Sequence, residues 1–506
     1  MVMPLPFSVR RPTVPAKDGA SWPHVIILGG GFAGAHAVGA LRDARVRVTL
    51  IDRNVYKTFQ PLLYQVATAG LNPGDVTMFL RGLSLKVPNM RYRQGEVEGV
   101  DPERKVVKLD EGQKGIQELQ YDYLIIANGA TTTYFGTPGA EEHAMPMYTR
   151  SQSLAIRDRI FSELERSSRE DVAGHDKLHV CIVGGGPTGV EIAGALADFR
   201  MQELDILYPE MDPGTLQVTV LQRGDELIKE FSPKYREYAA EELRDRGVTL
   251  RLGHGVKSVG YDHVVLDNGS ILESDITIWA AGVAIPESVK EWGLPQDKRG
   301  RIAVDDYLQV KGFPGVYAAG DIAGQDEPLP QLAQPAIQMG QAAARSIAAD
   351  VAGKPRKRFT YTDLGTMATI GRHAAIAEIP HVGGLSGAMG WAAWLGVHIT
   401  KMIGHRNQRA VAMNLLSLYG GTRGTHQPNP VVGEVDSLRA AKIFEEQAAH
   451  RKFGLGAQAG DPSDVLASGK SSAQGLRKKP EKKTAKAERT TRQAPGARHV
   501  ADPSQD

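Results

Sequence analysis

The sequence predicts an α/β protein built from two doubly wound, parallel-sheet domains of one type, followed by a smaller third region. Three observations predict it. An apolar run leading into a G-x-G-x-x-G turn occurs twice, at Gly29–Gly34 and Gly184–Gly189. Each turn is followed, at nearly equal distance, by the same D-x-x-I-x-A-x-G segment, beginning at Asp122 and at Asp275. The 506 residues, 42% of them hydrophobic, suffice for about three domains of ordinary size.

The first copy opens on His24–Leu28, an apolar run that reads as a buried strand. Gly29, Gly31 and Gly34 then give a tight turn and a helix start, and Ala35 to Leu41 a helix of small residues. Val46 to Ile51 reads as the next strand, and it ends on Asp52, followed by Arg53. An acid at that remove from the glycines is placed to hold the ribose hydroxyls of a dinucleotide. Ala127 and Gly129 of the later segment complete this first nucleotide site.

The second copy has Val180–Val183 as its strand and Gly184, Gly186 and Gly189 as its turn. Its next strand, Val218–Leu221, ends on Gln222 and Arg223 where the first copy has Asp52. Glutamine can hydrogen-bond a ribose diol but repels no 2′-phosphate, and an adjacent arginine can pair with one. NADH and NADPH therefore both stand as substrates. Ala281 and Gly282 allow close backbone approach to a nicotinamide. Two dinucleotide sites in one chain suit a flavin and a nicotinamide brought face to face.

Composition removes several classes. The single cysteine, Cys181, excludes a disulfide framework, a cysteine-ligated iron–sulfur cluster and a CxxC redox pair. Redox chemistry must come from a cofactor, and no constellation suggests a metal site. The formal charge of +2 is uneven: from Lys470 onward, ten basic residues face four acidic ones, with few aliphatics. Residues 431–506 read as a largely disordered basic tail, with no nucleic-acid partner assigned. Residues 1–23 read as a flexible segment without the apolar core of a secretory signal. No apolar stretch is long enough to span a bilayer, which places the protein in the cytoplasm or peripherally on the membrane's cytoplasmic face.

Gly315-Val316-Tyr317-Ala318-Ala319-Gly320-Asp321 resembles the late strand of the FAD-binding domain in two-dinucleotide flavoproteins, where the aspartate contacts the flavin chain. The resemblance implies two Rossmann-like domains, a nicotinamide domain at 151–295 inserted into an FAD domain at 24–150 and 296–350. Disulfide reductases and sulfide:quinone oxidoreductases need several cysteines. The remaining likeness is to the type II NADH dehydrogenases, single-chain NADH:quinone oxidoreductases that do not pump protons.

Three stretches carry that likeness. Phe59-Gln60-Pro61-Leu62-Leu63 through Ala67-Thr68-Ala69-Gly70 resembles the family's segment along the flavin ring, which puts Pro61 and Leu62 beside the cofactor. Ala333-Gln334-Pro335-Ala336-Ile337-Gln338-Met339-Gly340 resembles its A-Q-x-A-x-Q-x-G segment at the quinone pocket. Phe359 to Gly371, then Gly390-Trp391-x-x-Trp394-x-x-x-His398, is similar to its C-terminal domain, expected at 351–430. The resemblance implies tightly bound, non-covalent FAD, with NADH as the favoured donor and quinone as acceptor. Glu191 matches a family glutamate near the nicotinamide–flavin junction. Gln334 and Gln338, four apart and so on one helix face, can donate to a quinone carbonyl without adding charge.

Trp391, Trp394, Leu395, His398 and Met402 form one helical stripe, and Val411, Leu415, Leu418 and Tyr419 a second, with Lys401, His405, Arg406 and Arg409 between them. Apolar stripes with basic neighbours read as an interfacial helix pair on anionic lipid. The competing reading is core packing or a homodimer face, and His398 reads as a packed histidine. Two other functions share both nucleotide domains: a soluble reductase of ferredoxin or another small acceptor, and a non-catalytic FAD/NAD(P)H redox sensor.

Overall fold

Val25, Ile26, Ile27 and Leu28 are all buried, as expected for a central strand covered on both faces. The computed structural model describes residues 22–112, 115–168, 177–381 and 383–420; the basic tail and nearly all of the N-terminal segment lie outside them. His24–Leu28 pairs in parallel with Arg47–Asp52 on one side and Tyr123–Ile126 on the other. Met90–Gln94 and Val316–Ala318 form the two edges of this five-stranded sheet. Helix α1, Phe32–Ala40, packs against a later helix of the chain, Ala333–Val351.

The second sheet repeats the arrangement. Leu178–Val183 lies between Leu216–Gln222 and Ile276–Trp279, with Thr249–Leu252 and Ala144–Pro146 at the edges, all parallel. The duplicated aspartate has one structural task in both copies. Asp122 accepts the His24 amide at 2.6 Å, and Asp275 accepts the His179 amide at 2.8 Å, so each ties the opening of the glycine strand to its neighbour.

The insertion is visible in the pairing. The chain leaves the first sheet after Ile126 and returns at Val316, which pairs beside Leu124. The outgoing Thr131–Thr132 and returning Val283–Ala284 run antiparallel as a two-stranded ribbon between the domains. Ala144–Pro146 already belongs to the second sheet, so the outward crossing precedes the expected border at 150.

The remaining helices cover these sheets. Helix α2 is Leu63–Ala67, α3 Ala140–His143 and α4 Arg150–Ser167. Thr149 and Gln152 close the start of α4 as a capping box. Helix α5, Pro187–Gln202, follows the second glycine turn; α6 is Leu204–Leu207 and α7 Pro233–Asp245. Helix α8, Ala333–Val351, returns to the first domain, where Gly340 meets the backbone of Ala33 with no room for a side chain.

The third region is a three-stranded antiparallel sheet, Thr366–Gly371, Ala374–Ile379 and Gly383–Ser386, followed by α9, Gly387–Lys401, and α10, His405–Gly420. It packs on α5, where Gly194 lets the backbone of Ile370 approach. The two apolar stripes do not face outward as the lipid reading required. Trp394 is 0% exposed and Leu415 1%, and with Met402, Val411 and Tyr419 they join the core around Phe59, Leu62, Leu63 and Tyr64. The outward face is a different set, with Met389, Val397, Met413 and Leu416 (59% exposed) on it. The His398 ring stacks on Trp394 at 4.2 Å, and burial pushes its pKa down to about 4, so it is a neutral, packed histidine. Among the described residues, no helix is long and apolar enough to cross a membrane.

Candidate nucleotide and acceptor sites

The glycines of the two turns do matching work. Gly29 and Gly184 have φ of +94° and +115°, and a Cβ on either would strike the carbonyl of Ala127 or Ala280. Gly34 and Gly189 press on the carbonyls of Gly29 and Gly184, which holds helix against strand. Gly31 and Gly186 differ: a Cβ there meets nothing within 4 Å. Each is the N-cap of its helix, α1 or α5, and neither cap makes a side-chain hydrogen bond. Two helix N-termini therefore face open space with unspent positive dipole ends, the arrangement that receives a pyrophosphate.

The strand ends carry the difference between the sites. Asp52 accepts the Gly30 amide at 2.6 Å and the Asn54 amide at 2.7 Å. Gln222 accepts the Gly185 amide at 3.0 Å, so it occupies the same place without the charge. Arg223 is exposed beside it, and Arg53 is exposed and lies 3.7 Å from Glu96.

Gln60, Pro61 and Leu62 form a short turn, and its last residue, Leu62, is buried. The Gln60 and Asn128 side-chain oxygens are buried with no partner among the described residues, Ala127 is buried, and Gly129 turns with a φ of +72°. Asp321 sits beside Gly320 and Gln331 at a small cavity, and burial pushes its pKa up to about 6. Orphaned polar atoms beside an open cradle fit a flavin dinucleotide: Gly29, Gly31, Gly34 and Asp52 would hold its nucleotide end, and Gln60, Asn128 and Asp321 would face the remainder.

At the second site, Ala281 is half-buried and Gly282 is covered by the ring of Phe135. Phe135 is 62% exposed and adopts a φ of +52°, a left-handed conformation that a bulky residue takes rarely. No sequence pattern marked it. Glu191, on α5, is buried, and desolvation raises its carboxyl well above the usual range; its nearest hydrogen bond is from the Thr369 amide at 3.5 Å. Tyr64 and Tyr419, which the sequence placed only in the Phe59–Gly70 segment and the second apolar stripe, lie within electrostatic reach of Glu191.

Gln334 and Gln338 stand one turn apart on α8, as expected, but they are not equivalent. Gln338 donates to the Thr362 carbonyl at 2.9 Å and accepts the Thr362 amide at 3.0 Å, so its amide fastens the segment after α8. Gln334 makes no such bond among the described residues. Lys57, also missed, is buried with its ammonium 4.1 Å from the Phe32 ring centroid, and burial lowers its pKa to about 7. A single lysine in a three-residue strand, Tyr56–Thr58, leaves no pattern to read.

Comparison with known proteins gives consistent matches along the chain. Residues 23–340 match the model of the pyridine nucleotide-disulphide oxidoreductase family, and residues 364–419 that of the NDH2 C-terminal domain. The type II NADH:quinone oxidoreductase NdhA of Mycobacterium tuberculosis is 33% identical over 416 residues, covering 79% of this chain and 88% of the relative. An internal alternative NAD(P)H-ubiquinone oxidoreductase of Arabidopsis thaliana is 28% identical, covering 80% and 85%. Among solved structures, NDH2 of Plasmodium falciparum in complex with NADH shares the fold, with a TM-score of 0.74 at 21% identity, covering 80% of this chain and all of that one.

Proposed function

Because the chain belongs to the type II NADH:quinone oxidoreductase family, we propose that the Gly29–Gly34 turn holds FAD and the Gly184–Gly189 turn holds the nicotinamide dinucleotide. The protein is an FAD-dependent NADH dehydrogenase that passes electrons to a membrane quinone without pumping protons. Bound FAD supplies the two-electron chemistry between donor and acceptor. The chain itself supplies two anion cradles at helix N-termini, a ribose-reading position at each strand end, and a backbone at Ala281 and Gly282 that a nicotinamide ring can approach. Glu191, whose burial raises its carboxyl well above the usual range, is the carboxyl assigned to that junction, and Gln334 is the amide assigned to a quinone carbonyl. The observation that carries the reading is the pair of open cradles in one chain, alike at Gly31 and Gly186.

Anaerobic stopped-flow mixing tests it. NADH should bleach the flavin absorbance of the yellow protein, and a short-chain quinone should restore it. A flavin restored by ferredoxin but not by quinone would instead favour a soluble reductase.

Gln222 bears on donor choice. In Gln222→Glu, the new carboxylate would accept the Gly185 amide as Asp52 accepts Gly30, and it would stand against a 2′-phosphate. The catalytic efficiency kcat/KM for NADPH should fall by over about tenfold, about 2 kcal/mol of mismatch, while that for NADH changes little. Equal effects on both would show that the position does not read the ribose.

Peripheral association is assigned to the outward faces of α9 and α10. Exposed Met389, Val397, Met413 and Leu416 are flanked by exposed Lys401, His405, Arg406 and Arg409. Apolar side chains rimmed by cations suit an anionic lipid surface.

A further inference from the structure

Reduction of a quinone by NADH consumes a proton: NADH, quinone and H⁺ give NAD⁺ and quinol. Two electrons and one hydrogen come from NADH, and the second hydrogen of the quinol comes from solvent. A protein that shields the acceptor from water therefore needs a route for that proton.

A cavity of about 40 Å³ lies between α2, α5, α10 and the turn at Arg372. That exceeds the roughly 10–15 Å³ needed to hold a water. Gln65, Thr68, Asp198, Gln202, Glu203, Arg372 and Tyr419 supply its polar lining. Half-buried Ala195, Asp198, Gln202 and Leu418 rim it, so solvent reaches it. Glu191, Ala195, Asp198 and Gln202 follow one another at i, i+4, i+7 and i+11 on a single face of α5, so the helix joins the cavity to the carboxyl at the proposed nicotinamide junction. Between them, Gln65 donates to the Tyr419 hydroxyl at 2.5 Å, and the buried Tyr64 hydroxyl lies within electrostatic reach of Gln65, Tyr419 and Glu191.

We propose that this cavity is the proton-uptake port of the enzyme, with Glu203 taking the proton from solvent and the Tyr419 and Tyr64 hydroxyls, held in place by Gln65, passing it toward Glu191. The inference rests on the quinone reading above. Glu203 is 9% exposed and lines the cavity, and its carboxylate, unlike its backbone, makes no hydrogen bond or ion pair among the described residues. Burial lifts its pKa to about 7, partly offset by Arg372 and reinforced by Asp198. The other charges facing the cavity are already committed. Asp198 accepts the Arg372 amide and lies 3.5 Å from Arg246, and the Arg372 guanidinium donates to the Tyr419 carbonyl. Burial also lifts the Asp198 carboxyl, to about 6, but its bonds to Arg372 and Arg246 hold it in place, which leaves Glu203 as the cavity carboxyl without such a tie among the described residues.

The test compares the full enzyme with Glu203→Gln, Glu203→Asp and Tyr419→Phe, using a short-chain quinone and, separately, hexacyanoferrate(III), which takes electrons without protons. Flavin reduction by NADH and turnover with hexacyanoferrate(III) should match the parent in all three. Quinone turnover should fall by about tenfold or more in Glu203→Gln and Tyr419→Phe, and should recover in Glu203→Asp. In the parent it should decline as pH rises through about 7, because the proton-bearing form of Glu203 is lost, and Glu203→Gln should flatten that decline. Parental rate and pH profile in Glu203→Gln would overturn the port alone. A parent that NADH reduces but quinone does not reoxidise would overturn the acceptor reading and the port together.

Discussion

Gly31→Glu is expected to give a folded, colourless protein, and Gly186→Glu a folded, yellow one that NADH no longer reduces. The fold should tolerate both, because a Cβ at either position meets no atom within 4 Å. The new carboxylate, however, stands at a helix N-cap where a pyrophosphate would lie, replacing an open positive dipole end with a like charge. Repulsion of that kind costs several kcal/mol, and about 3 kcal/mol already weakens binding more than 100-fold. Flavin content after gel filtration checks the first variant, and rapid mixing with NADH checks the second. Circular dichroism verifies that each retains its fold. A yellow Gly31→Glu, or the two phenotypes exchanged, would reverse or dismiss the assignment of the two cradles.

Leu415→Glu should destabilise the protein severely, while its neighbour in Leu416→Glu should not. Leu415 is 1% exposed and packs in the core, whereas Leu416 is 59% exposed. An uncompensated buried charge costs about 3–5 kcal/mol, a large share of an ordinary domain's stability. Leu416→Glu combined with Met413→Glu should leave the melting temperature nearly unchanged. It should also weaken binding to anionic vesicles by at least about tenfold, through lost apolar contact and added repulsion. Vesicle sedimentation and thermal melts of the same preparations separate the two effects. Undiminished vesicle binding by the double variant would move the lipid contact away from α10.

The duplication was legible because its signals are local. A glycine turn between a strand and a helix needs particular residues at fixed spacings, whatever surrounds it, and so the two cradles, Asp52, Gln222 and the inward-pointing strands were all readable. The repeated Asp122 and Asp275 were visible too, but their purpose was not: each tethers a strand's first amide across nearly a hundred residues of sequence.

What tertiary structure alone decided is which surfaces face each other. A helical stripe states that one side of α10 is apolar, but a core and a bilayer present the same solvent to it; only the packing of Val411, Leu415 and Tyr419 against the Phe59–Ala67 segment fixed that side as inward. Likewise, two glutamines four apart share a helix face by geometry, yet only the position of Thr362 determined that Gln338 is bonded to backbone. Glu203, Tyr419 and Gln65 come from three distant parts of the chain and surround one cavity. Their chemistry arises from mutual burial, which depends on what the fold brings together and leaves no periodic trace in the sequence.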